Sequence, residues 1–365
     1  MKSRYIVHID YGSRGNSGFY IERILCASST QKHVRAYVHK EFGESKSNAK
    51  IIRIFDRWSR LIKSSNIRAA LKVLDIYLCF FKIFLDIRSL SKVHKVDLYC
   101  AFFQSFHVYG LFFKIVKKYC NLNITVHDAI ELNHNYPSFI MSDRDNIIKH
   151  AHRLIVHNQS SVEILSHINI PILVIRFPIK DRFISNNNPT DYPVKFLFIG
   201  HLRKEKGISS LIKAWSMLTP TDYERGHLMI AGNDFLNLGQ EASNLPSCDT
   251  KLNYIDDKEF ENLMQATDYV ILPYEGGTNS GVLSEASSFG KPCITSFIPC
   301  FSQSEYFLED LSVQNLEDLP HKIAYVIKNH IDNYENYVSF LKFKNKKYQL
   351  SFNDDINRMY NFTPS

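Results

Sequence analysis

The sequence predicts an α/β protein built from two doubly wound parallel sheets, and three observations lead to that fold class. Short runs of β-branched residues alternate with helical stretches along the chain, which is the pattern of βαβ units. The length of 365 residues exceeds what a single hydrophobic core usually fills. A polar run, SNNNPTDYP at 185–193, separates two such alternations and marks a domain boundary.

The first alternation supplies seven predicted strands, which we assign to a first domain over residues 1–185. Each run is four to six residues of mainly β-branched or aromatic type, as expected for strands of a parallel sheet. The runs are YIVHID near residue 5, VRAYVH near 34, IIRIF near 51, DLYCAF near 97, LNITVH near 122, RLIVHN near 153 and ILVIR near 172.

The second alternation predicts a second doubly wound domain over residues 186–345. Its predicted elements are VKFLFIG, the helix ISSLIKAWSML, HLMIAG, KLNYI, the helix DKEFENLMQA, DYVILPY, a helix over 281–289 and KPCITS. A tail over 346–365 follows, and whether it crosses back to the first domain is left open. Two such domains facing each other would enclose a cleft at the carboxyl ends of their strands, where open α/β sheets bind ligands.

Composition narrows the class of protein further. The seven cysteines are scattered and never spaced as C-x-x-C, which argues against a disulfide framework and against a zinc site. The chain runs from Met1 into RYIVHID without an apolar leader segment, so we expect no signal peptide. The most apolar stretch, residues 73–87, contains Asp75, Lys82 and Asp86, so we do not expect it to span a bilayer. These features predict a cytoplasmic protein.

Charge divides the chain into a basic half and an acidic half. Residues 1–190 contain 28 Lys and Arg against 14 Asp and Glu, and the remainder contains 16 against 23. A basic half suits an anionic membrane, nucleic acid or a phosphorylated substrate. Residues 57–95 hold a helical stripe that suits either core packing or contact with a membrane surface. The stripe consists of Leu71, Leu74, Leu78, Phe81 and Leu85.

The segment FLFIGHLRKEKGISSLIKAW, at 196–215, places a strand, a glycine turn, basic residues and a helix in sequence. Arg203 and Lys206 fall in the loop between the strand and the helix. Guanidinium and ammonium groups there can neutralise the charge that builds up as a nucleoside diphosphate leaves. A solvated basic turn is the alternative explanation of the same spacing.

The segment PYEGGTNSGVLSEASSFGKP, at 273–292, predicts a glycine-rich loop that runs into a helix. Ser280 is a suitable N-cap, and Asn279 precedes it. The backbone N–H groups of Gly281 and Val282 would form an anion site at the helix N-terminus. Glu285, one turn later, can accept hydrogen bonds from ribose hydroxyls.

Two further candidates lie in the first domain. His127 follows the strand in NITVHD, at the edge where cleft residues lie, and could donate to a sugar hydroxyl or to a developing oxyanion. Gly12 and Gly15 belong to a G-x-x-G-x-x-G run after the first strand. That spacing, without an acidic residue after the second strand, gives little support to a dinucleotide site, so we interpret the run as a turn that lines the cleft.

Together these segments resemble the family-four retaining glycosyltransferases, which are group 1 glycosyltransferases of the GT-B fold with two Rossmann-like domains. The likeness is best between residues 194 and 296. The strand-end histidine of the family is matched by His127 in TVHD, its basic loop by Lys206 before Gly207, and its ribose-binding acid by Glu285 in NSGVLSEA. The resemblance also implies that the backbone of Tyr254 and Ile255 contacts the base of the donor.

Two departures from the family pattern affect the donor site. His201 stands where an arginine commonly follows the first glycine, so we assign the phosphate role to Arg203 and include His201 among the binding residues. Gly277 stands where many members carry an earlier glutamate, so either Glu275 or the amides of the 276–280 loop would take over its contacts. The family works without a metal, and no D-x-D motif follows a predicted strand here.

The sequence therefore predicts a metal-independent, retaining glycosyltransferase without a cofactor, which uses a UDP- or GDP-type sugar as donor. The acceptor is predicted to be a lipid-linked glycan or oligosaccharide at the inner face of the plasma membrane, as in bacterial polysaccharide, O-antigen or lipopolysaccharide synthesis. An anionic membrane surface is then a partner. A nucleotide-sugar-binding protein without catalysis and a GT-B epimerase are the alternatives, and no nucleic-acid-binding motif accompanies the basic charge.

Overall fold

The chain forms two compact units in the computed structural model. Unit 1 comprises Met1–Pro178 and Phe352–Ser365, and unit 2 comprises Ile179–Ser351. The structure describes residues 2–12, 15–28, 31–55, 65–103, 105–130, 141–180, 182, 192–277 and 280–361, with the backbone alone for 15–17 and 65–73. The units divide at residue 178, whereas the sequence places the boundary at residue 185.

Unit 1 contains all seven strands that the sequence predicts for the first half. The strands are β1 (Arg4–Asp10), β2 (Val34–His39), β3 (Lys50–Phe55), β4 (Lys95–Phe102), β5 (Asn121–Thr125), β6 (Arg153–Val156) and β7 (Ile172–Val174). They form one parallel sheet in the order β3-β2-β1-β4-β5-β6-β7. The helices between them are α1 (Gly15–Ala27), α2 (Ser65–Val93), α3 (His107–Val116), α4 (Arg144–Ile148) and α5 (Gln159–Leu165).

Unit 2 contains a second parallel sheet. Its strands are β8 (Val194–Ile199), β9 (Gly226–Ala231), β10 (Cys248–Lys251), β11 (Tyr269–Leu272), β12 (Cys293–Ser296) and β13 (Ser312–Val313). Their order is β10-β9-β8-β11-β12-β13. The helices are α6 (Ile208–Ser216), α7 (Pro220–Arg225), α8 (Gly239–Ser243), α9 (Asp257–Gln265), α10 (Gly281–Ser288), α11 (Pro299–Ser302), α12 (Leu319–Lys328) and α13 (His330–Asn361). The predicted α/β class, with two Rossmann-like domains, is confirmed.

Each sheet has its own hydrophobic core, and this explains why the central strands are predictable. The strand VKFLFI of β8 lies between β9 and β11, and every side chain in it except Lys195 is buried. A strand covered on both faces is a nearly continuous apolar run, which the sequence shows directly. In unit 2 the core includes Trp215 of α6, whose indole N–H donates to the carbonyl of Pro246 at 2.8 Å.

The end of α13 belongs to unit 1 although the helix begins in unit 2. The carboxylate of Asp355 accepts hydrogen bonds from Arg176, at 2.7 Å from Nε, and from Arg358. Burial raises the pKa of Asp355, but these hydrogen bonds outweigh burial and hold the pKa below its ordinary value. Further along, the Tyr360 hydroxyl lies 2.9 Å from Nε2 of His8 on β1. The sequence did not predict this helix as a 32-residue element.

Two sequence-based expectations need correction or refinement. The predicted strand KLNYI is wrong, because β10 ends at Lys251 and the following residues form a loop before α9. In α2, the described residues of the predicted stripe lie on the exposed face, with Leu78 57% and Phe81 61% exposed, while other residues reach the core. The core residues of α2 are Ile76, Cys79, Phe80, Ile83 and Ile87. The side chain of Leu71 lies outside the described residues.

Candidate functional site

The basic loop of unit 2 runs from Gly200 to Gly207 and is held in place by the loop that follows β11. Gly207 has a φ of 65°, and a Cβ at this position would lie 1.7 Å from the carbonyl oxygen of Pro273. Only glycine combines that left-handed backbone with so close an approach. The N–H of Glu275 donates to the carbonyl of Glu205 at 3.1 Å. These contacts bring the two sequence motifs together at one edge of the sheet.

Lys206 and Arg203, the two predicted phosphate-binding residues, both lie against aromatic rings. The Lys206 ammonium is 3.9 Å from the centroid of the Tyr274 ring. Burial raises the pKa of Tyr274, so its ring is that of a neutral phenol. The Arg203 guanidinium is 4.9 Å from the ring of Phe235, and its NH1 is 3.9 Å from the carboxylate of Glu205. Cation–π contacts of this kind orient a charged group that stays partly exposed.

His201 contacts the same aromatic side chain as Arg203. Its ring packs edge-on against Phe235, with centroids 5.2 Å apart. Desolvation lowers the pKa of His201, and the positive charges of Arg203 and Lys206 lower it further. His201 is therefore neutral at pH 7, and the positive charge of the loop comes from its arginine and lysines.

The second motif forms the N-terminus of α10. Ser280 is its N-cap and accepts a hydrogen bond from the Leu283 N–H at 3.3 Å, as the sequence predicts. The Ser280 hydroxyl also donates to the Tyr274 hydroxyl at 3.3 Å. The first N–H groups of a helix, here those of Gly281 and Val282, have no acceptor within the helix. Asn279, the other predicted residue in this loop, lies outside the described residues.

Glu285, one turn into α10, is only 7% exposed. Its Oε1 lies 3.4 Å from Nζ of Lys180, and its Oε2 lies 3.7 Å from NH1 of Arg182. Oε2 is buried and accepts no hydrogen bond from the described residues. A buried carboxylate oxygen without a hydrogen-bond donor is costly, so Oε2 retains the capacity to accept one.

Sequence reasoning missed Lys180, Arg182 and Tyr274. The two cations stand in PIKDR, immediately before the predicted boundary loop, and their charge was the only local signal. Tyr274 connects the basic loop to the N-cap of α10, since the Lys206 ammonium lies over its ring and the Ser280 hydroxyl donates to its hydroxyl. Tyr254 and Ile255 follow β10 in a loop, and Tyr254 is 72% exposed.

In unit 1, His127 lies two residues beyond the end of β5, and both of its ring nitrogens contact protein atoms. Nε2 is 2.7 Å from the carbonyl of Ala101, and Nδ1 is 2.9 Å from Nε2 of His157. Nδ1 of His157 in turn is 2.9 Å from the carbonyl of Ile175. The predicted donation by His127 to a ligand requires one of its contacts to be given up.

The His127 and His157 rings carry too few protons for all of these contacts to be hydrogen bonds. Burial lowers the pKa of His127, and it lowers the pKa of His157 to about 3, so both rings are neutral at pH 7. The two rings link the carbonyls of Ala101 and Ile175 through three contacts, and each contact needs one N–H to be a hydrogen bond. Two neutral imidazoles carry only two N–H groups. One of the three contacts therefore lacks a proton.

The remaining predicted residues of unit 1 lie in the turn after β1. The Gly12 N–H donates to Oδ1 of Asp10 at 2.8 Å, and Gly15 is the first residue of α1. Burial raises the pKa of Asp10 to about 7. Within the described ranges, no group of three or more His, Cys, Asp or Glu side chains is arranged to hold a metal ion.

Residues 179–345 match the family model described as Glycosyl transferases group 1, a range that nearly coincides with unit 2. Unit 2 is similar to group 1 glycosyltransferases. No curated protein matches the chain.

Solved structures match over nearly the whole chain. WaaG, described as a glycosyltransferase involved in lipopolysaccharide biosynthesis, gives a TM-score of 0.64 at 14% identity, covering 98% of this chain and 100% of WaaG. Sucrose-phosphate synthase of Thermosynechococcus elongatus gives 0.66 at 13% identity, with 98% of each chain covered. Anabaena Alr3699/HepE in complex with UDP-glucose gives 0.62 at 13% identity, covering 98% and 99%. The chain has the GT-B fold. The family match over unit 2 supports a glycosyltransferase.

Proposed function

We propose that this chain is a retaining glycosyltransferase whose unit 2 binds a UDP- or GDP-type sugar. One observation carries the proposal: the basic loop is fixed against the start of the segment that leads into α10, and the buried Glu285 lies one turn into that helix. That arrangement offers cations, helix N–H groups and a carboxylate within one site. A nucleoside diphosphate presents the complementary groups, namely two phosphates and a ribose diol.

Each part of the site has a separate task in this proposal. Arg203 and Lys206 neutralise the diphosphate as the bond to the sugar breaks, and they provide the charge that a metal ion supplies in other transferases. The N–H groups of Gly281 and Val282 bind a phosphate oxygen at the positive end of α10. Glu285 accepts hydrogen bonds from the ribose, and the backbone at Tyr254 and Ile255 contacts the base.

The remaining predicted residues complete the donor and acceptor contacts. His201 borders the phosphates as a neutral side chain, and Glu275 or the loop amides near Gly277 contact the donor sugar. His127, from unit 1, donates to a sugar hydroxyl after exchange of one of its contacts. The reaction needs no metal and no further cofactor, and the anomeric configuration is retained.

Nucleoside diphosphates and nucleotide sugars are expected to raise the melting temperature of the protein, because a ligand that binds only the native state stabilises it. At 100 times the dissociation constant the gain is about 2.7 kcal/mol. A thermal-shift panel with uridine, guanosine, adenosine and thymidine diphosphates identifies the base. No shift with any of them would contradict the proposal.

Product analysis separates the alternative functions. Release of nucleoside diphosphate together with a glycosylated acceptor identifies a transferase, and the anomeric configuration of the product shows whether the enzyme retains it. Nucleotide binding without turnover would indicate a protein that has lost catalysis. Conversion of the donor sugar in the absence of any acceptor would indicate an epimerase.

The acceptor in this proposal is a lipid-linked glycan at an anionic, cytoplasmic membrane face, in bacterial polysaccharide synthesis. The exposed face of α2 supports it, since Leu78 and Phe81 stand beside Lys82 there. Leu111 of α3, 50% exposed, continues the apolar surface, and exposed Lys114 follows it. Aromatic and aliphatic residues of both helices line a groove of about 240 Å³ between them. Within the described residues, no helix has the length and apolarity to cross a bilayer.

Vesicles that contain anionic phospholipid are expected to sediment with the protein, and neutral vesicles much less. Leu78→Ser combined with Phe81→Ser should reduce the bound fraction, because both side chains are exposed and apolar. Lys82→Gln combined with Lys114→Gln should weaken binding roughly 30-fold at low salt, at about 1 kcal/mol per charge. Phe343→Ser, at an exposed position on α13, is the control. Equal binding by all variants would remove this surface from the proposal.

A further inference from the structure

The segment that opens unit 2 brings two cations to the carboxylate of Glu285. Lys180 lies 3.4 Å from Oε1 and Arg182 lies 3.7 Å from Oε2, so each oxygen faces one cation. Neither residue belongs to a sequence motif of the donor site. Both stand far from α10 in the chain, and only the tertiary fold brings them to it.

Arg182 is itself fixed from two other directions. Its NH2 lies 2.5 Å from Oε1 of Glu261 on α9, and its guanidinium lies 5.2 Å from the ring of Phe289 at the end of α10. Arg182 thus connects the two helices while its NH1 faces Glu285. A planar guanidinium that is held on a ring and on a second carboxylate has little freedom left to lose.

Burial explains why Glu285 needs these neighbours. An ionised carboxylate that is nine-tenths buried is strongly disfavoured unless cations compensate it. Lys180 and Arg182 are more exposed than Glu285, at 15% and 24% against 9% of the side chain. They compensate the charge, yet NH1 of Arg182 at 3.7 Å is too far to donate to Oε2, and no other residue that the structure describes donates to it.

We infer that Lys180 and Arg182 are positioning residues for Glu285, which fix the orientation of its carboxylate and leave Oε2 able to accept a hydrogen bond from the ribose of the donor. The inference rests on the proposed function. If it is correct, loss of either cation weakens the binding of nucleotides that carry the ribose hydroxyls and has little effect on nucleotides that lack them. A purely structural role would weaken binding of every nucleotide alike.

The test compares the affinities of a nucleoside diphosphate, chosen from the thermal-shift panel, and its 2′-deoxy analogue, measured by calorimetry. The wild-type protein is expected to bind the deoxy form at least about tenfold more weakly, since a hydrogen bond to a charged acceptor is lost. In Lys180→Met, affinity for the ribonucleotide should fall about tenfold while affinity for the deoxynucleotide changes less than about twofold. Lys180→Arg should restore most of the discrimination.

Two further variants complete the design. Arg182→Gln should reduce the discrimination less than Lys180→Met does, because Arg182 lies further from the carboxylate, and it keeps the test available if Lys180→Met does not fold. Lys258→Met, at an exposed site on α9, should leave both affinities unchanged.

Each failure has its own signature. Equal loss of both affinities in Lys180→Met and Arg182→Gln would overturn the inference and leave the proposed function standing. Equal affinities in the wild-type protein would remove Glu285 from the ribose and overturn the inference with it. If no nucleotide binds at all, the proposed function itself is wrong.

Discussion

Replacement of Lys206 by alanine is expected to lower the turnover number about 100-fold or more, while the free energy of unfolding falls by no more than about 1 kcal/mol. The ammonium stands at the end of the basic loop, over the ring of Tyr274, on a partly exposed side chain. Its task in the proposed reaction is to stabilise the diphosphate, whose negative charge grows as the sugar leaves. An interaction that strengthens in the transition state affects kcat more than KM.

Nucleoside diphosphate release, measured at saturating donor, reports this loss, and thermal unfolding of the same samples reports stability. Lys206→Arg retains the charge and should keep more activity than the alanine variant. Lys213→Ala, at an exposed position on α6, should behave as wild type in both measurements. Full turnover by Lys206→Ala would exclude Lys206 from the mechanism. A large fall in melting temperature would instead assign it a structural role.

Gly207→Ala is expected to destabilise unit 2 by at least about 3 kcal/mol. The new Cβ would fall 1.7 Å from the Pro273 carbonyl oxygen, in a backbone conformation with φ of 65° that L side chains rarely adopt. The atoms that the new Cβ would meet belong to the backbone and ring of Pro273, which cannot move aside as a flexible side chain can. The basic loop and the loop after β11 would therefore have to separate. For a unit of this size, 3 kcal/mol corresponds to a fall of roughly 6 to 12 °C in melting temperature.

Two variants separate the causes of that loss. Gly207→Asn tolerates the left-handed backbone better but brings the same Cβ, so it should be about as unstable as Gly207→Ala if the steric contact dominates. Gly276→Ala, in the neighbouring loop, has open space around its Cβ and should leave the melting temperature unchanged. A fall of less than about 2 °C in Gly207→Ala would mean that the loops are not held by this contact.

Several parts of the fold and of the site were predictable because their signals are local. The central strands of both sheets are largely apolar runs, since strands buried on both faces need apolar side chains. Ser280 was identified as the N-cap of α10, since a hydroxyl at that position bonds an N–H only three residues away. KLNYI failed as a strand because an alternation of only five polar and apolar residues fits a loop equally well.

The sequence by itself thus determined the α/β class, the sequence positions of the two loops and the residue types that can bind a nucleotide sugar. The tertiary structure decided which residues meet. It set Gly207 against Pro273, placed Lys180 and Arg182 beside Glu285, and exposed the stripe of α2 that could equally have been core. The physical reason is that periodicity and turn chemistry act over a few residues and leave a pattern in the sequence. Contacts between distant segments depend on how sheets and helices pack, and no local pattern records that packing.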